Sequence, residues 1–88
     1  MSRTIKLSGR EANVIRSIGF GLGVTGKELL EQLSVPKDEL CDLLNTLITA
    51  GFVETATMRD STDMDTLEDE TFEINGSFAS DIKTAMKR

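Results

Sequence analysis

Apolar residues recur at helical spacing in four stretches of this chain and alternate in two others. Val14, Ile15 and Ile18 form a first stripe, with Leu22 as its continuation. Leu29, Leu30 and Leu33 form a second, and Leu40, Leu44, Leu47 and Ile48 a third. Phe78, Ala79, Ile82, Ala85 and Met86 form the last. Residues 52–58 alternate loosely. Residues 71–75 alternate cleanly, with Phe72 and Ile74 on one face, as a half-buried strand requires. Residues 1–7 read as extended, with Ile5 and Leu7 pointing the same way.

The polar residues between these stretches place the element ends. Ser8-Gly9-Arg10-Glu11 and Thr25-Gly26-Lys27-Glu28 both have capping-box spacing. In that box the hydroxyl accepts from the third amide while the glutamate returns to the cap amide. Val24 and Leu29 have the spacing of a hydrophobic staple across the second box. Gly19, Gly21 and Gly23 end the first helix, and a short strand is placed at residues 23–25. Ser34-Val35-Pro36 breaks the second helix, because proline drives the preceding residue out of the α region. The third helix starts near Pro36 or Lys37 and ends at Gly51, with Phe52 folding back over Leu47. Asn75-Gly76-Ser77 is a turn that opens the last helix. The predicted order is helix, short strand, helix, helix, strand, long loop, strand, helix. That is an α+β fold, mostly α, with a small antiparallel sheet and a C-terminal helix.

Residues 25–53, TGKELLEQLSVPKDELCDLLNTLITAGFV, resemble the helix-turn-helix of the winged-helix superfamily. They are similar to small bacterial regulators of the arsenical-resistance and multiple-antibiotic-resistance types. The resemblance implies one winged-helix domain over residues 1–88. Its helix-turn-helix covers about 25–51, its wing about 52–75 and its C-terminal helix about 77–87. The polar stretch RDSTDMDTLEDE, residues 59–70, becomes the long, mobile tip of the wing. The third helix turns Lys37, Asp38, Cys41, Asp42 and Asn45 outward. Double-stranded DNA is the implied ligand, with Thr25, Lys27, Lys37, Asn45, Thr46 and Arg59 as candidate contacts. The apolar surplus of the last helix implies a homodimer, with Leu43, Phe78, Ile82 and Met86 as candidate partner contacts.

Charge complicates that reading. The chain has fifteen acids against ten bases, a net charge of −5, the wrong sign for a general nucleic-acid binder. Asp38, Glu39 and Asp42 oppose phosphate on the third helix. They also occupy the dipole end that would otherwise meet one. Two readings follow. One is a winged-helix DNA-binding regulator acting as a homodimer. The other is an acidic winged-helix module that binds another protein and not DNA.

Chemistry narrows the field further. There is no histidine, tryptophan or tyrosine, and the lone Cys41 has no histidine to activate it. No glycine-rich phosphate loop follows a strand. An enzyme is not expected, nor is a cofactor. The acids at 60, 63, 65, 68, 69 and 70 lack the central glycine of an EF-hand loop, so no metal site is expected. Leu, Ile, Val and Phe supply 24 of the 88 residues, enough for one small core. Charged residues interrupt positions 1–20, and no stretch approaches a membrane span, so cytoplasmic placement is the default.

Overall fold

The computed structural model describes residues 6–86. The elements run α1 (Gly9–Ile18), β1 (Val24–Thr25), α2 (Gly26–Leu33), α3 (Lys37–Thr49), β2 (Val53–Thr55), β3 (Thr71–Ile74) and α4 (Ala79–Met86). This is the predicted order. Most of the extended stretch expected over residues 1–7 lies outside the described residues, as does the end of the last helix.

Both capping boxes form. Ser8 Oγ accepts from the Glu11 amide at 3.1 Å, and Glu11 Oε1 accepts from the Ser8 amide at 2.8 Å. Thr25 and Glu28 repeat the exchange at 3.2 and 3.1 Å. α2 ends where expected, with Ser34 in the left-handed region at φ 54°. At the end of α3 the Phe52 amide donates to Leu47 O and the Gly51 amide to Ile48 O, both at 3.0 Å. These two bonds make the Schellman closure, and Gly51 takes φ 88°, where a side chain would be strained.

The sheet is antiparallel with β3 between β1 and β2. Phe72 pairs with Val24 on one side and Thr55 on the other, and Val53 pairs with Ile74. Partnered residues share a face, so these five side chains turn together toward the helices. The core they join holds Val14, Ile15 and Ile18 of α1, Leu29 of α2, and Leu40, Leu44 and Leu47 of α3.

Four expectations change. Leu22 does not continue the α1 stripe: it is 97% exposed, because the helix closes at Ile18 and the chain leaves that face. Residues 59–70 are not a free-standing tip: Leu67 is fully buried in the core, which holds the segment down on the helices. Cys41 does not face solvent: it is 7% exposed, beneath Thr62 of that segment. Ile82 is fully buried in the chain's own core and so offers nothing to a partner. The rest of the α4 surplus is also largely used within the chain. Phe78 packs edge-to-face on Phe52, ring centres 5.2 Å apart, and Met86 lies half-buried against the core.

Candidate functional site

The outward side of α3 and the segment 59–70 form one surface, because the segment lies across the helix as a strap. Its fold is local. Asp63 Oδ1 accepts from the amides of Asp65 and Thr66 and from the Thr66 hydroxyl, at 2.9 to 3.0 Å. These bonds, led by those from Thr66, hold the exposed Asp63 carboxyl below the usual carboxylate range. The Leu67 amide then donates to Asp63 O, and the Glu70 amide to Thr66 O. This tight turn delivers Leu67 inward, where it meets the N-terminus of α2.

Gly26 makes that meeting possible. It is buried, and a Cβ there would stand 2.7 Å from the Leu67 carbonyl carbon and closer still to its oxygen. Its amide donates to Glu70 O at 3.0 Å, and the Lys27 amide to Glu68 O at 3.3 Å. The strap is therefore tied to α2 by backbone as well as by an apolar side chain. At its exit Glu70 accepts from the Thr57 hydroxyl at 2.7 Å. At its entrance the Arg59 amide donates to the Thr55 hydroxyl, also at 2.7 Å.

The strap reaches α3 through side chains. Asn45 Nδ2 donates to Thr62 O at 3.0 Å, and Asn45 Oδ1 accepts from the Thr62 amide at 2.8 Å. The side-chain amide thus serves the Thr62 backbone much as a neighbouring strand would. Cys41 Sγ lies 3.6 Å from the same carbonyl. Burial first, then the charges of Asp42 and Asp63, push its thiol pKa up. A thiol so placed is a small core residue and not a nucleophile. Lys37 Nζ pairs with Glu68 at 3.2 Å.

The residues with a candidate DNA role are thus mostly engaged. Thr25 is the α2 cap, Asn45 holds Thr62, Lys37 holds Glu68, and Arg59 donates to Thr66 Oγ1 at 3.3 Å. Thr46 is exposed, and its hydroxyl donates to Asp42 O one turn back. Lys27 is exposed. Leu43 is half-buried beside Val14, Leu33 and Val35, under the Arg10–Glu39 ion pair of 2.8 Å. No family model, curated protein or solved structure matches the chain.

The field over this surface follows from the count. Residues 37–49 and 59–70 together carry nine carboxylates against Lys37 and Arg59, so the surface is negative. The residues that seat the strap, Gly26, Thr62 and Leu67, were not among the sequence candidates. A signal existed: Leu67 is the only leucine, isoleucine, valine or phenylalanine between Val53 and Phe72, and Asp63 and Thr66 have turn-forming spacing.

Proposed function

We propose that this chain is a winged-helix domain that works by binding another protein, with its helix-turn-helix not used to read DNA. The observation that carries the reading is the strap on α3. Asn45 would have to surrender two hydrogen bonds to reach a base, and Lys37 an ion pair to reach a phosphate. The winged-helix assignment itself rests on the helix-turn-helix pattern of residues 25–53 and on the order of elements. A second feature favours a protein partner. Leu22 is 97% exposed on the Gly19–Gly23 loop, next to the partly exposed Phe20. Exposed apolar side chains grouped in this way commonly mark contact sites.

The test is a titration of wild type and Asp42→Arg with mixed duplex DNA at several salt concentrations. Wild type is expected to show no binding at physiological salt. Asp42→Arg is expected to leave that unchanged or to add weak, sequence-independent binding, with a log–log salt slope of about one unit per added phosphate contact. A wild type that binds one sequence at nanomolar strength, weakened by Asp42→Arg, overturns the reading. Asp42 would then be accepting from a cytosine amino group in the major groove.

A further inference from the structure

A cleft of about 460 Å³ opens at the C-terminal end of α3. Its walls are Ile48 and Thr49 of the helix, Val53 and Glu54 of β2, and Met58 and Asp60 of the following turn. The volume lies in the range of small-ligand sites. Three independent features give the cleft a negative field with no cation of the chain to answer it.

The first is the helix. α3 runs for 13 residues with acids in its first turn and no basic residue in its last. Its carbonyl end, which carries partial negative charge, is uncompensated where it borders the cleft. The second is the sheet. Glu54 and Glu73 stand directly opposite on β2 and β3, on the face turned away from the core. Like charges so placed repel. Among the described residues neither they nor Asp60 has an ion-pair partner. The third is the orientation of Arg59, which also lines the cleft. Its guanidinium donates to Thr66 in the strap, and its charge is felt at Asp63. It is engaged with the 63–66 turn and not with Glu54.

The remaining wall is apolar. Ile48 and Val53 contribute to it, and Met58 stands over the opening, 79% exposed, at a φ of 60° that such a side chain rarely adopts. An apolar wall under a ring of acceptors suits a side chain with a hydrocarbon stem and a cationic head. We propose that this cleft receives an arginine or lysine side chain from a basic segment of a partner protein. Its stem lies on Ile48 and Met58, and its head lies between Glu54, Asp60 and the end of α3. Arginine fits better than lysine, because its planar fork can serve both carboxylates at once. The inference rests on the protein-binding reading above and supplies the chemistry of the partner.

The experiment titrates the full chain with a blocked leucine–arginine–leucine tripeptide and follows backbone amide shifts. The same peptide with glutamine in place of arginine is the control. Shifts are expected to cluster at residues 48–60, and the glutamine peptide to bind at least about fivefold more weakly, the scale of one charge-assisted hydrogen bond. Glu54→Gln combined with Asp60→Asn should lose a similar factor, while Glu31→Gln, on exposed α2 surface, should lose none. Three results overturn the proposal: shifts spread evenly over the acidic surface, equal affinity for the glutamine peptide, or equal loss in the Glu31 variant. The titration contains no DNA. Its failure removes the cleft as docking point and leaves the case against DNA reading where the duplex titration puts it.

Discussion

Leu44→Ala is expected to lower the unfolding free energy by about 2–5 kcal/mol, the range for deleting a fully buried leucine. Leu44 sits in the middle of α3 and is completely buried. Leu40 and Leu47 lie one turn away on the same face, and the α1 residues Val14, Ile15 and Ile18 share their cluster. The cost has two parts: the transfer energy of the lost carbons and the cavity they leave. A domain of this size has a total stability of roughly 4–13 kcal/mol. The variant therefore loses a large share of what holds the fold together. Urea denaturation reads the effect as a lower midpoint at unchanged slope. A loss under about 1 kcal/mol would place Leu44 outside the core.

Gly26→Ala tests the seat of the strap, and its sign is informative. In an exposed helix the change from glycine to alanine stabilises by roughly 0.8–1.0 kcal/mol, since alanine restricts the unfolded chain and suits the helix. Here the new methyl group would meet Leu67 backbone, and its Cγ at 3.1 Å, with no flexible side chain to yield. Either the strap lifts or α2 shifts at its first turn. Overpacking of this kind costs about 1–3 kcal/mol, so net destabilisation is expected in the same urea experiment. Lifting the strap also removes the Gly26 amide's bond to Glu70 and exposes Leu67. A variant more stable than wild type would mean that the strap does not rest on Gly26.

Much of the fold was legible in local signals. Both capping boxes, the proline break and the glycine closure of α3 act within a few residues, and each formed as read. The periodicities of α3 and of residues 71–75 also identified their buried faces correctly, because burial of one face imposes them. The errors share a cause. Leu22 follows Ile18 at helical spacing, but the spacing has no meaning once Gly19 has ended the helix. Cys41 and Ile82 were assigned outward roles from faces counted on isolated helices. What covers Cys41 comes from Thr62, 21 residues away, and nothing local announces it. The strap was read as a mobile tip on its average polarity. One leucine and one turn-capping aspartate were enough to seat it, and averaging hides single residues of that kind. The candidate site was misjudged for the same reason. Asn45, Lys37 and Arg59 are chemically suited to nucleic acid, and only the folded strap reveals that their donors are already used.

The account turns on residues 59–70 resting on α2 and α3 in solution. Native-state amide hydrogen exchange measures this directly. The amides of Thr62, Leu67 and Glu70 donate to Asn45 Oδ1, Asp63 O and Thr66 O. They are expected to exchange at least about a hundredfold more slowly than in an unstructured chain, with Thr62 losing its protection in Asn45→Ala. Exchange across residues 59–70 at the unstructured rate, with α3 still protected, would contradict the account and return the outward side of α3 to a ligand such as DNA.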